Sequence, residues 1–143
     1  MKKSIVIFML FADICLVNGQ IKKIYCGTLD SIVIKTYSFH DKETSAINDT
    51  TDQSIKLIGS KKIISKEMEF LKIKFKKKKS YKKQRALLSY FNIKIFYYHK
   101  NQIIQEMVLS TLTKNITIFR NEIRVFKGQY TPYIEDDITK LIN

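Results

Sequence analysis

Beyond residue 19 the chain is a series of short stretches rich in Ile, Phe and Tyr, parted by polar breaks and lacking a sustained helical period. Nothing else in the sequence constrains the fold as much. Side chains that alternate in character suit a pleated strand with one face turned inward. Ser31 to Phe39 reads as a strand with Val33, Tyr37 and Phe39 on one face and Ile32 and Ile34 on the other. Ser54 to Ile58 is a second, closed by Gly59-Ser60-Lys61-Lys62. Met68 to Phe75 is a third, in which Leu71, Ile73 and Phe75 alternate with Lys72, Lys74 and Lys76. Leu87 to Tyr98 is the most apolar run of the mature chain. It places Ile93, Ile95 and Tyr97 on one side and Asn92, Lys94 and Phe96 on the other, and its β-branched and aromatic content favours strand.

The polar link His99-Lys100-Asn101-Gln102 suits a hairpin, with Ile103 to Leu112 returning as a strand, although a helical reading of that stretch stays open. Ile116 to Phe119 and Ile123 to Phe126 are two further strands divided by Arg120-Asn121-Glu122. Lys127-Gly128 is expected to turn the chain again before Tyr130. Asp41 to Gln53 reads as a loop, and residues 135–143 as a short helix or coil. Short strands at this spacing point to an antiparallel sandwich or barrel.

Residues 1–19 stand apart from that domain. Lys2 and Lys3, the apolar run Ile5 to Phe11 and the small or uncharged Val17-Asn18-Gly19 have the layout of a secretory signal, with Gln20 as the first mature residue. An uncleaved anchor is the alternative, and Asp13 is an irregularity in the signal. About 124 residues then form one domain, 20–143, of modest burial per residue. Its location is expected to be extracellular or in the endolysosomal lumen. Only Cys26 survives the removal of Cys15, so no internal disulfide can form; a buried, free or intermolecularly bridged thiol are the options.

The net charge of the whole chain is +13. Such an excess attracts glycosaminoglycans, anionic lipid head groups or nucleic acid, and secretion favours the first two. Its densest part is Lys72, Lys74, Lys76, Lys77, Lys78, Lys79, Lys82, Lys83 and Arg85. On a β-hairpin these would form a ridge able to track an anionic chain, whereas a solvated loop is the plain alternative. Only Phe75 and Tyr81 interleave them, too few aromatics for base stacking, so no specific nucleic-acid partner is expected.

Enzymatic chemistry has little to work with. His40 and His99 sit at expected strand ends, and a histidine pair with a lysine is the one set suited to acid–base phosphodiester cleavage; two surface histidines are the simpler reading. Asp136-Asp137 and Asp41 with Glu43 lack metal-ligand spacing, and no zinc pattern or phosphate-binding glycine loop occurs. No cofactor is called for, and the chain is expected not to be an enzyme. Asn48-Asp49-Thr50 and Asn115-Ile116-Thr117 are sequons, which makes Asn48 and Asn115 candidate glycan acceptors.

Four ordered segments carry a family likeness. They are Tyr25-Cys26-Gly27 followed by Ser31-Ile32-Val33-Ile34, the stretch Ser54 to Ser60, Met68 to Phe75, and Phe126-Lys127-Gly128-Gln129-Tyr130. Together they resemble the secreted lipid-recognition (ML) family, which includes the ganglioside activator and sterol-transfer proteins. The chain would be a divergent or truncated member, since the family carries several disulfides and Cys26 has no partner. The resemblance implies an all-β, antiparallel immunoglobulin-like two-sheet sandwich whose sheets part to admit an acyl chain or sterol. On that reading Leu57, Leu71, Ile73, Phe75, Ile93, Ile95 and Tyr97 would line the ligand, with ordinary core packing as the alternative for each. The lysine ridge would then draw the sheet mouth to anionic membrane.

Overall fold

The computed structural model describes residue 25 and residues 27–40, 56–83 and 91–142. The expected signal, Cys26, the Asn48 loop, Arg85 and residues 87–90 lie outside these. Seven strands form one antiparallel sheet: β1 (Ser31–His40), β2 (Leu57–Ile63), β3 (Tyr81–Lys82), β4 (Phe91–His99), β5 (Gln102–Leu109), β6 (Asn115–Arg120) and β7 (Ile123–Tyr130). Their order across the sheet is β2-β1-β4-β5-β6-β7-β3. Helix α1 (Ser65–Lys76) falls between β2 and β3, and α2 (Pro132–Ile142) follows β7. The mainly β, antiparallel class is as expected. A division into two facing sheets is not shown: among the described residues all seven strands belong to one sheet, and helices lie against it.

Two meandering hairpins make its centre. Ile95 faces Met107 across β4–β5, and Met107 faces Ile118 across β5–β6. Lys100 and Asn101 join β4 to β5 with φ of 49° and 61°; Asn121 and Glu122 join β6 to β7 with φ of 46° and 66°. Both are two-residue turns with paired positive φ, the form whose twist matches that of the flanking strands. An L side chain is strained there and glycine is not. Glu122→Gly should therefore raise stability by about 0.5–1 kcal/mol, read from the urea midpoint.

Met68 to Phe75 is not a strand. Its residues form α1, in which Met68, Leu71 and Phe75 lie on one side at helical spacing and are buried. Lys, Glu, Met and Leu are strong helix formers, and Glu67 in the first turn with Lys74 and Lys76 in the last complement the helix dipole. The expected turn at Lys127-Gly128 is also corrected: β7 runs straight through it. The glycine answers a different need. A Cβ on Gly128 would lie 2.6 Å from the carbonyl oxygen of Lys82, so its absence lets β3 pass close to β7.

On one face of the sheet Ile32, Ile34, Ile93, Ile95, Tyr97, Met107, Leu109, Ile116, Ile118 and Tyr130 pack against the apolar stripes of the helices. α2 contributes Ile134, Ile138 and Leu141, again at helical spacing. Each such side chain is worth about 1.5–3 kcal/mol when fully buried, which is what holds two short helices in place. The opposite face buries Phe91, Phe96, Val108 and Phe119. β4 is thus covered on both sides from Phe91 to Tyr97, and this is why it reads as the most apolar run.

Candidate anion-binding site

The lysine block does not form one ridge. In a strand, Lys72, Lys74 and Lys76 would share a face; at 100° per residue on α1, Lys72 and Lys76 stay on one flank while Lys74 turns to the other. Lys72 pairs with Glu69 at 3.7 Å on one flank. Lys74 points the other way and meets Asp137 of α2 at 3.1 Å. Lys78, Lys82 and Lys83 are exposed, and Arg85 lies outside the described residues.

Three of the lysines nonetheless converge. α1 stops at Lys77, whose backbone N–H donates to the Lys74 carbonyl at 3.3 Å, and a single 3-10 turn over Lys78–Ser80 follows. The Ser80 hydroxyl donates to the same Lys74 carbonyl at 2.7 Å. This turn is fastened to the start of α2: the Thr131 backbone N–H donates to the Ser80 carbonyl at 2.9 Å, and its hydroxyl donates to the Lys79 carbonyl at 2.5 Å. Pro132 then opens α2 at a position where no N–H is needed. The result places the Tyr133 ring among the ammonium groups of Lys79, Lys74 and Lys77, at 3.9, 4.5 and 5.9 Å from the ring centroid.

Of these three ammonium groups, that of Lys74 meets the carboxylate of Asp137. The mutual repulsion of the three is softened by the negative face of the ring and is relieved further by any bound anion. The phenol registers the field. Desolvation acts to raise its pKa, but the hydrogen bond from Lys77 and the charges of Lys77, Lys79 and Lys74 outweigh it and hold the group below the ordinary tyrosine value. A turn tied at both ends, presenting fixed positive charge, is suited to phosphate, sulfate or carboxylate groups.

Comparison with protein families, curated proteins and solved structures finds no match. The corner must be weighed by its own chemistry.

Other expected site residues are dispersed. Leu71, Phe75, Ile93, Ile95 and Tyr97 come together in the core, while Leu57 and Ile73 stand on the surface at 50% and 54% exposure. A shallow cleft of about 190 Å³, open solvent included, is lined by Ile103, Ile104, Gln105, Glu106, Phe119, Asn121 and Glu122. That is below the size of ordinary small-molecule sites. His40 pairs with Phe91 at the start of β4, and His99 ends the same strand, so the two histidines are roughly 27 Å apart along it and do not converge. Asn115 is buried in β6, its Oδ1 3.4 Å from Gln129 Nε2, so a glycan there would have to draw the side chain out. Among the described residues no group of three or more His, Cys, Asp or Glu could hold a metal ion. No described helix is long and apolar enough to cross a membrane.

Two features escaped the sequence reading. One is Tyr133, whose part depends on where α2 lands. The other is an ion pair inside the second face of the sheet, Lys94 to Glu106 at 3.8 Å, with each side chain only 3% exposed. The Lys94 ammonium also lies 4.9 Å from the Phe91 ring centroid. The available signal was a lysine in the most apolar run and an acid on the returning strand, diagonal neighbours across the hairpin.

Proposed function

We propose that this protein is a non-enzymatic binding protein for surfaces or chains of fixed anions, acting through the corner formed by Lys74, Lys77 and Lys79. The observation that carries this is the convergence of three ammonium groups on the Tyr133 ring, in a chain of net charge +13. The long-range field raises the encounter rate, and the corner supplies contacts that release counterions from the partner. A secretory start would set sulfated glycans and anionic lipid head groups within reach.

An interior acyl-chain or sterol site of the lipid-recognition type draws less support. It needs two sheets that part, with the seven wall candidates gathered between them. Five of the seven already fill a packed core against α1 and α2, and two face outward.

Heparin chromatography tests the corner. The wild-type chain should be retained and elute at a salt concentration well above that of a K74Q/K77Q/K79Q variant. The slope of log affinity against log salt should fall by about two to three for the three lost contacts. Equal elution and equal slope in a variant with an unchanged circular-dichroism spectrum would remove the proposal.

A further inference from the structure

The outward side of α1 carries Lys66, Phe70, Ile73 and, just past its last residue, Lys77, at steps of four, three and four residues that stack them in one row. Phe70 is 50% exposed and Ile73 54%. Among the described residues seven large apolar side chains stand exposed, and Phe70 and Ile73 are the two that share one helix face. Lysines frame it. The Lys74 ammonium lies 5.4 Å from the Phe70 ring centroid, and both acids of the helix are matched, Glu67 by Lys61 at 3.9 Å and Glu69 by Lys72 at 3.7 Å.

A helix with Met68, Leu71 and Phe75 turned to the core would ordinarily set polar groups on its far side. Here the far side offers two neighbouring apolar groups between ammonium groups. We infer that α1 lies against an anionic lipid bilayer, with Phe70 and Ile73 entering the boundary between head groups and acyl chains while Lys66 and Lys77 meet the head groups. The inference rests on the anion-binding reading and names its partner. Charge complementarity selects the bilayer: a soluble polyanion matches the lysines but offers no apolar layer, whereas an anionic membrane offers both at this spacing. Two apolar side chains give reversible, salt-sensitive attachment, far short of insertion.

The chain contains no tryptophan, so a Phe70→Trp variant reports from this face alone. With phosphatidylcholine vesicles containing phosphatidylserine, the full chain carrying F70W should show a blue-shifted emission; with heparin or with pure phosphatidylcholine it should not. In co-sedimentation, F70S/I73S should lose at least about tenfold in affinity for the anionic vesicles, and K66Q/K77Q a similar factor. Leu112→Ser, which removes an exposed apolar group on another part of the surface, should change nothing. Elution of F70S/I73S from heparin should match the wild type. Heparin binding without vesicle binding, an equal emission shift with heparin, or vesicle affinity insensitive to F70S/I73S would each overturn the membrane inference while leaving the anion-binding reading in place. Failure to bind heparin and anionic vesicles alike would overturn both.

Discussion

Replacing Lys94 by Met should lower the free energy of unfolding by about 3–5 kcal/mol, a large part of the 5–15 kcal/mol typical of a domain. Lys94 and Glu106 are diagonal neighbours on β4 and β5, 3.8 Å apart and each 3% exposed. Removing the ammonium leaves a carboxylate in a setting whose apolar neighbours include Phe91, Val108 and Phe119, where it is far less well solvated than in water. K94M/E106L, which removes both charges, should return most of the loss, because such a pair contributes little beyond what apolar side chains of similar size provide. Urea unfolding of Lys94→Met and of K94M/E106L decides it. A Lys94→Met cost below about 1 kcal/mol would mean that the carboxylate is not buried in solution.

How much of this was legible in the sequence depends on which period each segment obeys. The β4–β5 hairpin was readable because Ile93, Ile95 and Tyr97 alternate with Asn92, Lys94 and Phe96, a β-branched and aromatic run, and the link ends within a few residues. Residues 135–143 read as helix or coil, though Ile134, Ile138 and Leu141 repeat at helical spacing behind Pro132 and form α2. Met68 to Phe75 failed for a specific reason. Apolar residues at 68, 70, 71, 73 and 75 satisfy a two-residue period through Leu71, Ile73 and Phe75, and equally a helical one through Met68, Leu71 and Phe75. Short apolar runs leave that choice to tertiary packing. The difference carries into the site, since a strand would put Lys74 on one ridge with Lys72 and Lys76, whereas the helix turns it to the opposite flank. Charge content was legible; convergence was not. Tyr133 lies 54 residues beyond Lys79, and the ties from Thr131 to the 3-10 turn, with the Lys74–Asp137 bridge and the β3–β7 pairing, bring them together. That the described strands join in one sheet was likewise beyond a pattern that specifies strands but not how many layers they make.

Phe75→Ala should cost about 3–5 kcal/mol, whereas Ile73→Ala should stay within about 0.5 kcal/mol of the wild type. The contrast follows from the helix alone. Phe75 is 1% exposed and sits in the core with Leu71 and Met68, so truncating it removes a large apolar surface and leaves a cavity that fixed β-strands can close only in part. Its carbonyl, which accepts from the Tyr81 hydroxyl at 2.6 Å, is untouched by the substitution, and the loss is one of packing. Ile73, two residues earlier, projects to solvent. Truncation there removes no buried contact and exchanges a β-branched side chain for the best helix former, a small gain that offsets whatever partial contact is lost. A strand would make Ile73 and Phe75 neighbours on one inward face, and the two substitutions would then cost similar amounts. The pair therefore reports the period of the segment directly. Equal destabilisation by the two, measured from denaturant midpoints with unchanged slopes, would return residues 68–75 to a pleated strand and with it remove the outward row on which the membrane contact depends.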